Sequence, residues 1–224
     1  IFVTGGAGFI GSHSCLLLLE KGYVLFILDS FINSNEKSID KISIILKDKG
    51  IDTRGKIYLI KGDINSLEDI EKVFQLSSKL EKKIEAVIHF AGLKSVYHSV
   101  INPIEYWNNN VGGTINLLKI MDKYNCKNIV FSSSATIYRA QPNKLLNEND
   151  ICDPINPYGN TKFTVERILR DLFNSQPSQW RIVSLRYFNP VGAHKSALIG
   201  ENPLSSPNNI YPRITQAAIG KIKE

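Results

Sequence analysis

The chain has 224 residues, 43% of them hydrophobic and 21% charged, which is enough apolar material for a sizeable core and too much for a disordered chain. Its net charge of +6 would suit an anionic ligand. The lysines, however, are interleaved with acids, as in Lys79-Leu80-Glu81-Lys82-Lys83, which is the pattern of a solvated helix face, and no aromatic-interleaved basic patch argues for nucleic acid.

No uninterrupted apolar run, Cys15 to Leu19 among them, comes near the roughly 18 residues that a membrane helix needs, so no span is expected. The chain opens on Ile1-Phe2-Val3 with no basic segment before it and no small-residue cleavage site after it. No secretory signal is expected, and a cytoplasmic location is. The three cysteines, Cys15, Cys126 and Cys152, are an odd number without redox or ligand spacing, which fits reduced thiols. His13, His89, His98 and His194 are scattered, so no metal site is expected.

Short β-branched runs bounded by turns predict strands at Ile1–Thr4, Val24–Asp29, Ile57–Ile60, Ala86–His89, Ile129–Ser132 and Ile182–Arg186. Between them, helical spacing predicts helices near Ile10–Lys21, Lys37–Lys49, Leu67–Leu80, Pro103–Tyr124 and Tyr158–Asn174, with Ser66 and Asn102 as capping candidates. This alternation predicts an α/β fold with a doubly wound parallel sheet. After residue 189 the chain turns rich in Pro, Gly, Ser and Asn. A core domain over residues 1–189 and a small lobe over 190–224, itself apparently truncated, are therefore expected.

The first predicted strand runs into Thr4-Gly5-Gly6-Ala7-Gly8-Phe9-Ile10-Gly11 and then a helix. Gly6, Gly8 and Gly11 fit G-x-G-x-x-G, in which glycines permit a tight turn and close backbone approach to a pyrophosphate at a helix N-terminus. Asp29 ends the second strand, where a carboxylate can accept bonds from ribose hydroxyls and repel a 2′-phosphate. The following Ser30-Phe31-Ile32 offers no arginine to receive such a phosphate. A Rossmann-type site for NAD rather than NADP is expected.

Tyr158 and Lys162 stand at i and i+4 of a predicted helix, hence on one face. They follow a strand whose end carries Ser132-Ser133-Ser134-Ala135-Thr136. A tyrosine has a pKa near 10, so making it a base near pH 7 demands about three units, or roughly 4 kcal/mol. One cation about 4 Å away at an effective dielectric of about 20 contributes roughly that amount. Burial of the phenolate works against it, so a positive cofactor ring is expected to help.

This serine cluster with its tyrosine-lysine helix resembles the short-chain dehydrogenase/reductases. Over essentially the whole chain the sequence is similar to their extended branch, and within it to the UDP-galactose 4-epimerases. The likeness is carried also by Leu28-Asp29-Ser30-Phe31, Gly62-Asp63-Ile64, His89-Phe90-Ala91-Gly92-Leu93-Lys94, Asn109-Asn110-Val111 and Leu185-Arg186-Tyr187-Phe188-Asn189-Pro190-Val191-Gly192-Ala193.

The resemblance implies Tyr158, Lys162 and Ser134 as catalytic. It implies Gly5, Gly8, Phe9, Ile10, Gly11, Asp29, Ser30, Phe31, Ile32, Asn33, Ser34, Asp63, Ile64, Phe90, Ala91, Gly92, Leu93, Lys94, Asn109, Ser132, Tyr158, Lys162 and Phe188 around NAD. Lys94, Ser134, Tyr158, Asn189, Asn208 and Asn209 would meet a UDP-sugar. It further implies interconversion of UDP-galactose and UDP-glucose through a 4-keto sugar, with NAD regenerated, in a protein that is a homodimer at full length.

Competing readings stay open at several of these positions. Asp63 can simply cap the helix beginning near Ser66, Lys94 can be a solvated lysine, Asn109 and Asn110 can satisfy helix or loop backbone, and Phe188 can be core.

Related 4,6-dehydratases carry an acidic pair after the serine or threonine, where this chain has Ala135 and Thr136. A dehydratase is the alternative, and a non-catalytic NAD-binding sensor is opposed by the intact Ser134, Tyr158 and Lys162. Arg139 stands where the family usually has glycine and is expected to strain its loop. Asn160 and Thr161 replace a more usual Lys-Ser on what is expected to be an exposed turn. Residues 1 to 224 alone are expected to show little or no epimerase activity.

Overall fold

The computed structural model describes residues 1–139, 144–202 and 209–222. Six strands, β1 (Phe2–Thr4), β2 (Leu25–Asp29), β3 (Ile57–Lys61), β4 (Val87–His89), β5 (Asn128–Ser134) and β6 (Arg181–Tyr187), form one parallel sheet in the order β3-β2-β1-β4-β5-β6. The order reverses between β1 and β4, so a crevice opens at their carboxyl ends, where open sheets of this kind bind ligands.

The described α-helices are α1 (Phe9–Glu20), α2 (Lys37–Asp48), α3 (Leu67–Lys79), α4 (Val96–Ile101), α5 (Pro103–Tyr106), α6 (Gly113–Lys123), α7 (Pro157–Ser175) and α8 (Ile210–Ala218). Every residue of β2 is buried. Because strand side chains alternate, Leu25 and Ile27 join Leu16, Leu19, Ile42 and Leu46 of α1 and α2 on one face. Phe26 and Leu28 join Ile70, Val73, Leu117, Met121, Val165 and Leu169 of α3, α6 and α7 on the other. Each fully buried large apolar side chain contributes roughly 1.5–3 kcal/mol. Among the described residues no helix is long and apolar enough to cross a membrane.

The strand order of a Rossmann fold is thus present, and four elements depart from expectation. β5 continues through Ser133 and Ser134. The helix expected over Pro103–Tyr124 contains a π-helical stretch, Trp107–Gly112, between α5 and α6. Helices α4 and α8 were not expected. Asn102 precedes α5 without a side-chain cap, whereas Ser66 does cap α3 by accepting from the Asp69 N–H at 3.1 Å.

One buried polar chain joins the two halves of the sheet. The Thr114 hydroxyl donates to the Asn110 carbonyl at 2.6 Å, so its oxygen accepts from His89 Nε2–H at 2.9 Å. His89 Nδ1 is then the acceptor for the Thr4 hydroxyl at 2.7 Å. Burial, reinforced by the Lys162 charge, pushes the His89 pKa down to about 3 from 6.5. Between these values the unfolded chain binds a proton at His89 that the folded chain refuses. Stability is therefore fully present above pH 6.5 and falls as pH drops towards 3, by up to about 1.4 kcal/mol per unit from this residue. In denaturant titrations between pH 6.5 and 4, His89→Gln is expected to flatten that slope. An unchanged slope would contradict the buried neutral histidine.

Candidate active site

The turn after β1 has its left-handed residue at Gly5, with φ of +68°, where an added Cβ would lie 2.7 Å from the Ala91 nitrogen. Gly11 packs so closely that a Cβ would stand 2.2 Å from the Gly5 carbonyl oxygen. Gly6 backs onto Ile27 of β2, so the tight turn belongs to Gly5 and Gly6 serves packing. Gly8 has only the Gly5 oxygen within 4 Å of where a Cβ would be, leaving open space over the start of α1. No side chain caps that start, and the first-turn amides have no intrahelical acceptors. A pyrophosphate fits this cradle on both counts.

Asp29 is 6% exposed and well anchored. It accepts from the Ala7 N–H at 2.9 Å, the Phe31 N–H at 3.0 Å and the Ser34 hydroxyl at 2.7 Å. A carboxylate offers about four acceptor positions, so one remains for a ligand hydroxyl. The Asx turn holds Phe31 in the left-handed region at φ +59°, an uncommon conformation for a bulky residue. Ser30 is half-buried, and Ile32 and Asn33 are exposed.

Across the crevice, Asn156 caps α7 by accepting from the Gly159 N–H at 2.8 Å, with Pro157 in the first turn. This fixes the turn that carries Tyr158 and Lys162. The Lys162 ammonium is buried and donates to the Ser132 carbonyl at 2.8 Å. It lies 4.9 Å from the Phe131 ring centroid and 5.9 Å from that of Tyr158, and burial lowers its pKa to about 8. Ser134 accepts from the Thr136 N–H at 3.2 Å and the Thr136 hydroxyl at 2.9 Å, which leaves its own proton to donate. Burial raises the Tyr158 pKa and interaction with Ser134 pulls it back part of the way. The net direction is upward, so the chain by itself favours the protonated phenol.

A second network escaped the sequence reading. Asn110, buried as the fourth residue of the π-helical stretch, accepts from the Leu93 N–H at 2.8 Å, and donates to the Leu93 carbonyl at 3.0 Å and to the Thr161 hydroxyl at 3.1 Å. Thr161 in turn donates to the Tyr158 carbonyl at 2.7 Å. Thr161 is therefore fully buried and not on an exposed turn as expected. Asn110 satisfies loop backbone, one of the readings left open for the pair, while Asn109 donates to it and accepts from Asn65.

One turn further along α7, Glu166 accepts from Ser133 at 2.5 Å and is gripped by Arg186 at 3.0 and 2.8 Å. Arg139 has ordinary backbone geometry, its N–H bonds the Ile151 carbonyl at 3.0 Å and its side chain pairs with Asp153. The expected strain is absent because the residue sits in a short antiparallel pairing, Tyr138 with Cys152.

A family model described as GDP-mannose 4,6 dehydratase matches residues 2–224. The chain belongs to that family, within the extended short-chain dehydrogenase/reductases. It is 47% identical over 225 residues to the bifunctional UDP-glucose 4-epimerase and UDP-xylose 4-epimerase 1 of Pisum sativum, covering 100% of this chain and 61% of that protein. It is 43% identical to the UDP-glucose 4-epimerase of Bacillus subtilis (strain 168), covering 100% of this chain and 62% of that one. The crystal structure of UDP-glucose 4-epimerase from Bifidobacterium longum in complex with NAD+ and UDP superposes with a TM-score of 0.88 at 42% identity, covering 100% of this chain and 63% of that chain. The chain spans about three fifths of the length of these relatives.

In this dehydratase-family chain the other expected residues are spread around the crevice. Asp63 does not cap α3: its carboxylate accepts from the Asn65 N–H at 2.8 Å and the Asn65 amide at 3.0 Å, while Ile64 is buried in the core beside Gly113. Phe90, Ala91, Gly92 and Leu93 are half-buried along the loop after β4, and Lys94 is exposed and pairs with Glu201 at 3.4 Å. Phe9 and Ile10 are half-buried in the first turn of α1. Phe188 is 65% exposed rather than core, and Asn189 is exposed. Asn209 donates to Glu201 at 2.8 Å. Asn208 lies outside the described residues.

Proposed function

We propose that the protein is an NAD-dependent epimerase that interconverts UDP-galactose and UDP-glucose at C4 of the sugar. The observation that carries this reading is the placement of Ser134, Tyr158 and Lys162 at the end of β5 and the start of α7, across the crevice from the open glycine turn and Asp29. The relatives with which the chain is aligned over its whole length are UDP-glucose 4-epimerases.

The first-turn amides of α1, Gly5 and Gly8 would hold the pyrophosphate of NAD, Asp29 its adenosine ribose, and Lys162 the ribose nearer the reaction. NAD, when bound, supplies a hydride acceptor that later returns the hydride. Tyr158 takes the proton of the sugar 4-hydroxyl at its phenolic oxygen and gives it back. Ser134, with its proton free, orients that hydroxyl. Lys94, Asn189, Asn208 and Asn209 would serve the UDP-sugar.

The family description favours a second reading, a 4,6-dehydratase. That reaction needs an acid and a base beside the serine to expel water, and Ala135 and Thr136 stand there instead. Incubation of the full-length protein with UDP-galactose is expected to yield UDP-glucose, whereas a 4-keto-6-deoxy sugar would select the dehydratase.

Residues 190–224 would belong to a substrate lobe, and the exposed Val183, Leu185 and Val191 offer apolar surface against which a lobe of the relatives' length could pack. Exposed Val96, Tyr97, Val100, Ile101 and Ile104 on α4 and α5 suit a second copy of the chain, hence a homodimer. The three cysteines, all free thiols, suit a cytoplasmic location.

A further inference from the structure

The segment after β6 folds back across the crevice. Ala193 and Gly200 pair in an antiparallel bridge, and the His194 N–H bonds the Ile199 carbonyl at 3.0 Å. The hairpin closes on itself through the Ala197 N–H to the His194 carbonyl at 2.9 Å, with Ala197 left-handed at φ +57°. Within this loop Ile199 is only 4% exposed, and the neighbouring Leu198 packs against the same cluster. It is buried in the cluster of Ala7, Leu16, Ile27 and Ile39, against which Phe31 and Phe90 also pack. Ala7 and Phe31 are the residues whose amides hold Asp29.

Two residues later, Glu201 reaches the opposite wall. Its carboxylate oxygen accepts from Lys94, at the end of the loop after β4, at 3.4 Å, and from Asn209 at 2.8 Å, and the side chain is 12% exposed. The hairpin is thus fastened on the β1–β2 side by an apolar plug and on the β4 side by an ion pair.

We propose that Ala193–Glu201 is a strap over the dinucleotide cradle, fastened by Ile199 and Glu201, and that it sets the rate at which the cofactor leaves. The inference rests on the cofactor reading given above. A tightly retained cofactor suits an enzyme that regenerates it in every cycle. Because Glu201 holds Lys94 and Asn209, both assigned to the UDP-sugar, an arriving pyrophosphate competes with the carboxylate for the same donors, and substrate binding is coupled to the strap.

The test measures NAD release from the full-length protein after rapid dilution, together with tryptic cleavage after Lys195, which is exposed on the hairpin. Ile199→Ala and Glu201→Gln are each expected to speed release at least about tenfold; Glu201→Gln should do so with little change in Tm without NAD, whereas Ile199→Ala should also lower that Tm, because it empties a buried apolar site. Saturating NAD is expected to slow cleavage after Lys195 in the unsubstituted protein by a similar factor. Release unchanged in both variants, or cleavage indifferent to NAD, would overturn the strap. If Ile199→Ala does not fold, Glu201→Gln and the proteolysis still decide. Asp29→Ala separates the two ideas. If it weakens NAD binding while the strap variants release NAD normally, the strap alone is wrong. If neither NAD binding nor its loss in Asp29→Ala is detected, the cofactor reading falls and the strap with it.

Discussion

Tyr158→Phe in the full-length protein is expected to lower kcat by about 100- to 10,000-fold, the range that a positioned acid-base group contributes, while leaving NAD affinity within about twofold. The substitution removes one oxygen and almost no packing area. It removes the phenolic group that interacts with Ser134 and that the proposed mechanism uses to carry the proton. Because burial raises the Tyr158 pKa in the chain by itself, the phenol is a base only when further positive charge stands near it. The rate should therefore rise with pH as the phenol loses its proton, and Tyr158→Phe should abolish that limb of the profile. A nearly unchanged rate would remove Tyr158 from the mechanism.

Arg186→Leu is expected to destabilise the chain by about 3–5 kcal/mol, because it strands a buried carboxylate without its counter-ion. Glu166 is 5% exposed and Arg186 grips both of its oxygens, while also donating to the Tyr138 hydroxyl at 2.8 Å and the Glu148 carbonyl at 3.0 Å. These bonds tie β6 to α7 and, through Ser133, to β5, so the loss should also loosen the register of Ser134 against Tyr158. Adding Glu166→Gln should recover part of the stability, since the uncompensated charge is then gone. A urea midpoint corresponding to a loss below about 1 kcal/mol would show that the pair is already well hydrated.

The sheet was legible because its strands are buried on both faces and so read as nearly continuous apolar runs, as Leu25–Asp29 does. The glycine turn and Asp29 were legible because their chemistry is local. The π-helical stretch was not, because one extra residue in a turn leaves apolar spacing almost intact while re-aiming Asn110. Thr161 is hard to read for a related reason: a small hydroxyl between Tyr158 and Lys162 looks like a turn residue, and only the packing of α7 against the Asn110 side chain shows it buried. β5 was cut short at Ser132 because a serine run has low strand propensity, which pairing with β6 overrides. Ile199 did carry a signal, the apolar Leu198-Ile199 pair within a polar loop, but nothing local says where such a pair will pack.

The central claim is that a hydride leaves and returns to the same carbon while Tyr158 carries the proton. It is tested most directly by giving the full-length protein UDP-glucose deuterated at C4 and following the label by NMR, with absorbance recording any reduced cofactor. The expected result is UDP-galactose that keeps its deuterium at C4, with no net reduced NAD. Deuterium lost to water, or product formed only with stoichiometric reduction of NAD, would contradict it.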